Sequence, residues 1–410
     1  MGGLQARKVK EGVWWVGGID WNLRNFHGYS TPRGSTYNAY LVVGEKIALI
    51  DTVKAHCAQE MLDRIASVVD PSKIDYLVSN HVEMDHSGAI AHVLEVAKSA
   101  TVVTCAAGER GLREHFHADW RFQQVKSGDQ LALGGGKTLK FVTTPMVHWP
   151  DNMVSYLAED KVLFSNDAFG QHFASPERFD DELPLHLVVE EAQKYFGNIV
   201  LCFIPMVAKA LEAVSGLDLE IIAPSHGLIW RTSVHTILEQ YKRWTANTPE
   251  ERALIIYDSM WGSTAKLAQA IGAAFDARGV PWRVYDLKEA HNSEIMTEVV
   301  TSRYVCVGSP TLNNGLLPTV ASFLTYLRSL SPKKRVGLAF GSYGWGGQSI
   351  EQVGQYLKES GFELLEPIKV KYVPDLETLR GITGKLEKAL APLAGPKAEP
   401  AAEAKPGKAS

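Results

Sequence analysis

Apolar positions along this chain keep two different rhythms, and the rhythm changes near residue 250. Before that point, short apolar runs at residues 13–16, 39–43, 47–50, 74–78, 138–144, 161–164 and 219–224 read as strands. Helical stretches lie among them without strict alternation, which fits a two-sheet α/β sandwich. After Thr248-Pro249-Glu250-Glu251, strand and helix alternate regularly. The predicted strands are 253–257, 282–285, 304–308, 335–340 and 367–370, with helical periodicity between them, as in 265–271 and 320–324. This pattern predicts a doubly wound sheet of five parallel strands. Residues 395–410 carry Ala, Pro, Lys and Glu without an apolar period and are expected to be disordered. The expected domains are therefore 1–250 and 251–394, followed by the tail.

The densest chemistry lies in six residues, His81-Val82-Glu83-Met84-Asp85-His86. They follow the predicted strand 74–78 and precede a predicted helix start at 87–94, a place where α/β proteins put their chemistry. His81, Glu83 and Asp85 are two apart, so an extended segment would project them to one side. A turn after Asp85 would bring His86 to the same centre. Imidazoles mixed with carboxylates suit iron or manganese at least as well as zinc, and the lack of thiolate argues against structural zinc. The plain alternative is a solvated polar loop. His148, Asp167 and His226 shift the odds, because each stands just past an apolar strand. Singly each would be an ordinary loop or cap residue; together they could complete a two-metal site.

Three loops of the second half share another chemistry. Ser259-Met260-Trp261-Gly262-Ser263-Thr264 joins a strand to a helix, and its hydroxyls, glycine and helix-start amides would cradle a phosphate. Pro310-Thr311-Leu312-Asn313-Asn314-Gly315 follows the third predicted strand. Ser342-Tyr343-Gly344-Trp345-Gly346 follows the fourth, with Tyr343 or Trp345 able to stack on a flavin ring. Three such loops at strand ends point to FMN. No Gly-x-Gly-x-x-Gly follows a first strand, so bound NAD or FAD is not expected.

Composition narrows the partners. With 42 basic and 46 acidic residues, a net charge of −4 gives no electrostatic reason for nucleic acid or an anionic membrane. No apolar run approaches bilayer-spanning length, and the first residues lack a signal-peptide core. Cys57, Cys105, Cys202 and Cys306 are scattered, with no Cys-x-x-Cys pair. That excludes a rubredoxin-type iron site or zinc ribbon within the chain and fits a reducing cytoplasm. All four are expected to be buried small hydrophobes.

The order His-x-Glu-x-Asp-His, His, Asp, His resembles the metallo-β-lactamase fold, an αββα sandwich. Hydrolases of that fold usually carry His where Glu83 stands, and a carboxylate there favours iron. With a flavodoxin-like second domain, the chain resembles the flavodiiron proteins, of the two-domain type seen in rubredoxin:oxygen oxidoreductases. The resemblance also covers Asp20-Trp21-Asn22, Phe26-His27-Gly28-Tyr29 and Tyr257-Asp258-Ser259-Met260-Trp261. The flavodoxin fingerprint usually has Thr at the place of Trp261, a departure this family tolerates.

The resemblance implies that His81, Glu83 and His148 bind one iron, that Asp85, His86 and His226 bind the other, and that Asp167 bridges them. It makes His86 the least secure ligand. It places His27 and Tyr195 near the open coordination positions, where they could donate protons or hydrogen bonds. It implies reduction of O2 to water by four electrons, of NO to N2O, or of both, with electrons passing from a rubredoxin through FMN to the irons. It further implies a head-to-tail homodimer, with Glu83 and Trp149 at the junction, and leaves open whether dimers pair again. A metallohydrolase with an added flavodoxin-like domain is the rival class, and Glu83 speaks against it.

Overall fold

In the computed structural model, which describes residues 4–392, the chain forms two compact units. The expected tail lies outside the described residues. The division is not a single cut: residues 291–301 and 329–332 group with the first unit. There Asn198 Nδ2 donates to Ser293 O at 2.9 Å and Gln193 Nε2 to Thr297 O at 2.8 Å.

The first unit is an αββα sandwich. Its larger sheet has seven strands, including Val13–Trp15, Tyr40–Val43, Ile47–Ile50, Tyr76–Val78 and Thr101–Thr104. The smaller has five, running from Gln130–Gly134 to Ile221–Pro224. Strand periodicity explains the layers. Tyr40, Val42, Ala48, Ile50, Val78 and Val103 face the second sheet, where they meet Leu139, Phe141, Val162 and Phe164. Their neighbours Leu41, Leu49, Leu77 and Val102 face the opposite way, toward Met61, Ile65, Ile90 and Leu112 of the outer helices. The strands are apolar on both faces because both faces are covered.

One outer helix departs from expectation. Leu185–Tyr195 runs through a π-helical turn, Phe196–Val200, and a short 3-10 turn into Ile204–Val214. The joined stretch is long and apolar enough to cross a membrane by length and composition, which the linear reading missed. Here Val188, Ala192, Tyr195, Phe196, Val200 and Val207 are buried in the first unit. Among the cysteines, Cys57, Cys105 and Cys306 are buried, but Cys202 is exposed, because its short turn lies on the outer side of this stretch.

The second unit holds a sheet whose described pairings are all parallel. It has six strands rather than five. The fifth position is shared by Glu363–Leu364 and Ile368–Lys371, which both pair with Val336–Tyr343. Pro367 lies in the gap between them and has no amide hydrogen to give a ladder. Val336–Tyr343 also runs further than predicted, since Gly341, Ser342 and Tyr343 pair with Lys369, Val370 and Lys371. Ser342 and Tyr343 thus lie on a strand end, not in the loop beyond it.

Candidate metal centre

The His81–His86 segment turns earlier than its spacing suggests. Glu83 O accepts from the amides of both His86 and Ser87 at 2.9 Å, so Met84–Ser87 is a helical turn. His81 and Glu83 remain on extended chain, while Asp85 and His86 lie on the turn. This divides the six residues between two clusters. His81, Glu83, His148 and Asp167 form one, and Asp85, His86 and His226 form the other, each set offering ligand atoms within 4.8 Å of one another.

Asp167 stands between the clusters. Its Oδ2 lies 3.3 Å from His148 Nε2 and 3.8 Å from His81 Nε2. Its Oδ1 lies 3.1 Å from His86 Nε2 and 3.3 Å from His226 Nε2. Glu83 Oε2 is 3.4 Å from His81 Nε2 and 3.3 Å from His148 Nε2. Asp85 Oδ2 is 3.3 Å from His226 Nε2. Atoms that share an ion at about 2.0–2.2 Å stand roughly 3–3.5 Å apart, so these spacings suit coordination. The buried His81 Nε2, His86 Nε2, Asp85 Oδ1 and both Asp167 oxygens have no hydrogen-bond partner, as donor atoms aimed at a cation would.

The surrounding residues fix which imidazole nitrogen faces inward. His81 Nδ1 donates to Asp151 Oδ2, and His226 Nδ1 donates to Thr36 O at 2.7 Å, leaving each Nε2 for the centre. Asp51, on buried chain just past Ile47–Ile50, accepts from Asn80 N at 2.7 Å and Asn80 Nδ2 at 3.0 Å. Asn166 Nδ2 reaches it at 3.4 Å. Asn80 precedes His81 and Asn166 precedes Asp167, so one carboxylate ties two ligand loops together. Burial pushes the Asp51 pKa up, against the pull of His86.

Charge is tightly balanced. Burial disfavours the charged form of His81, yet Asp151, Glu83 and Asp167 outweigh it and raise its pKa to about 10. The same contest raises His148 to about 9 and His226 to about 10, through Asp167 with Glu83 or Asp85. Burial likewise opposes charge on Asp167, but His86, His148 and His226 hold it well below the carboxylate range.

The two residues expected near the open coordination positions differ in setting. His27 Nε2 is 3.4 Å from Glu83 Oε1, but its side chain is 73% exposed. Tyr195 is buried, with its ring centroid 5.9 Å from that of His226. Burial and nearby carboxylates raise the Tyr195 pKa far above its ordinary value, so the hydroxyl keeps its proton. Trp149 packs its ring 5.0 Å from that of His81. The linear reading missed His172, which is buried 4.8 Å from the His226 ring, with Nδ1 2.7 Å from Ser35 Oγ and Nε2 unpartnered. Its place five residues after Asp167 was the available signal.

In the second unit the three loops do lie at carboxyl ends of parallel strands. Gly262 opens the helix Ser263–Ala277 at φ +82°, with no side chain capping that helix start. Such uncapped amides form an anion cradle. Thr264 Oγ1, in the first turn of that helix, stands 3.3 Å from Ser342 Oγ at the end of strand Val336–Tyr343, which leads into the third loop. Asn313 and Asn314, both at positive φ, form a tight turn closed by Leu312 and Gly315. Trp261 and Trp345 are 92% and 91% exposed, as rings available to stack on a ligand would be.

Fold and site together define a two-domain metalloflavoprotein architecture. Residues 36–227 match the family model described as "ODP family beta lactamase", and residues 255–382 match the flavodoxin model. The chain is 43% identical over 397 residues to the rubredoxin-oxygen oxidoreductase of Megalodesulfovibrio gigas, covering 94% of this chain and 98% of that one. It is 42% identical over 383 residues to the nitric oxide reductase of Moorella thermoacetica, covering 92% and 96%. The crystal structure of the flavodiiron protein from Giardia intestinalis superposes with a TM-score of 0.91 at 31% identity, covering 94% and 95%. The chain belongs to the flavodiiron proteins.

Proposed function

We propose that this flavodiiron oxidoreductase reduces O2 to water, NO to N2O, or both, in a reducing cytoplasm. The observation that carries the reading is Asp167, whose two oxygens address two separate histidine–carboxylate clusters. His81, Glu83 and His148 would hold one iron, and Asp85, His86 and His226 the other, with Asp167 bridging. The three loops around Gly262, Asn313 and Trp345 would hold FMN. Iron and flavin, when bound, supply the electrons for reduction of a diatomic gas.

The chain's own residues do the rest. Asp151 and Thr36 orient imidazoles. Buried Tyr195 keeps a proton available beside the His226 side of the centre. His27, exposed near Glu83, lies between the centre and solvent. No described cysteine cluster could serve as an internal donor, so a rubredoxin-like protein would supply electrons. A head-to-tail homodimer completes the proposal, with FMN of one copy serving the diiron centre of the other. O2 is taken as the main substrate by analogy with the M. gigas relative, and predominant NO reduction, as in the name of the M. thermoacetica relative, is the alternative.

Metal and flavin analysis, followed by anaerobic turnover with reduced rubredoxin and either gas, tests this. Two irons and one FMN per chain with gas consumption are expected. Stoichiometric zinc without gas reduction would favour the hydrolase reading instead.

A further inference from the structure

We propose that Asn38 is a positioning residue for His226, setting one metal position far more than the other; this rests on the metal-centre reading above. Strand Ile221–Pro224 ends at Pro224, paired with Asn166; Ser225 N still donates to Asn166 O at 2.8 Å, and His226 then leaves the sheet on a loop. Asn38, fully buried between Ser35–Tyr37 and Tyr40–Val43, holds the carbonyls of that loop, sharing Pro224 O with the Tyr40 hydroxyl. Its Nδ2 donates to Pro224 O at 2.8 Å and to Gly227 O at 3.0 Å. Its backbone amide donates to Ser225 O at 2.7 Å. One residue therefore grips the carbonyls on both sides of His226.

The direction of that grip is itself fixed. Trp15 Nε1 donates to Asn38 Oδ1 at 2.8 Å, so the amide cannot flip without placing a donor against a donor. Trp15 is held in turn, with the Arg64 and Arg178 guanidinium carbons 4.8 and 4.6 Å from its ring. Two residues before Asn38, and so on the same side of extended chain, Thr36 O takes the His226 Nδ1 proton and Thr36 Oγ1 the Gly227 amide. Asn38 holds the loop backbone and Thr36 holds the ring.

Asn38 itself bonds the His226 loop and Trp15. The loops of His81 and Asp167 are tied chiefly by Asp51, Asp151 and Asn152, through Asn80, Val82 and Asn166, and the Asp167 loop meets the His226 loop where Ser225 N donates to Asn166 O at 2.8 Å and Asn166 Nδ2 to Ser225 Oγ at 3.2 Å. Loss of the Asn38 grip should loosen the Asp85–His86–His226 position far more than the His81–Glu83–His148 position, which Asn38 reaches through Ser225 and Asn166.

Cobalt titration of metal-free, full-length protein, read by visible absorption and calorimetry, tests this without turnover. Wild type should bind two ions tightly. Asn38→Ala and Asn38→Asp should each weaken one ion about tenfold or more and the other much less. The Asp variant keeps the shape but sets an oxygen against two carbonyls, so a role in packing alone would leave it like wild type. Trp15→Phe, which releases the amide to flip, should weaken the same ion to a smaller degree. Both ions weakened alike, or Asn38→Asp binding as wild type, would overturn the proposal. Wild type that binds no ion pair would remove the metal reading, and this one with it.

Discussion

Asp151 Oδ2 accepts the Nδ1 proton of His81 at 2.9 Å, and the same oxygen takes the amide of Val82 at 2.8 Å. One buried carboxylate so fixes both the ring of His81 and the peptide group that follows it, at the start of the candidate metal-binding segment. Asp151→Ala should lower iron affinity roughly tenfold to a hundredfold, the usual cost of losing a partner behind a metal ligand. Iron retained after dialysis against a graded chelator series measures it. Retention equal to wild type would mean that Asp151 does not orient His81.

Asp167 serves both clusters, so its loss cannot be confined to one. Asp167→Ala should lose bound iron from both positions and nearly all gas reduction, while FMN content stays at wild-type level. Metal analysis and flavin absorbance on the same sample separate the two. Full turnover in this variant would refute the bridging assignment.

The metal-free protein should lose stability as pH rises. His81, His148 and His226 have folded values of about 10, 9 and 10, against about 6.5 for a free imidazole. A raised value stabilises fully below the unfolded value, and that contribution disappears as pH climbs through the folded one. The depressed carboxyls Glu83, Asp85 and Asp167 act in the other sense, contributing above about pH 4 and failing in acid. Urea midpoints of chelator-treated protein should fall between about pH 6.5 and 10. A flat or rising midpoint over that range would contradict the charge balance described for this site.

Trp261 and Trp345 offer a contrast, since almost nothing covers them. Replacing either with Ala should change unfolding free energy by no more than about 0.5 kcal/mol, as for most surface positions. Flavin affinity should nevertheless fall, with iron content unchanged. Fluorescence titration of the flavin-free protein reports it; unaltered affinity in both variants would place the ring elsewhere.

The alternation of strands and helices was legible because the core strands are apolar over short, bounded runs, and the residues that gather into the two clusters were legible because each stands just past a strand. Three features were not. The early turn at Glu83 depends on its carbonyl accepting two amides, which spacing does not reveal. Asp51, Asp151 and Asn38 act on residues up to 189 positions away, and a lone polar residue beside an apolar run looks the same whether it caps a loop or holds a ligand. The split fifth strand follows from one proline, whose effect depends on which neighbour it would have faced.

The π-helical turn at Phe196–Val200 sets a phase. A single added residue in a helix rotates everything beyond it by about 100° relative to what came before. Tyr195, just ahead of the turn, packs beside the His226 ring, and Leu201 and Val207, beyond it, are buried as well. The turn therefore resets the helix's phase between a face that borders the candidate metal centre and a face that packs in the core.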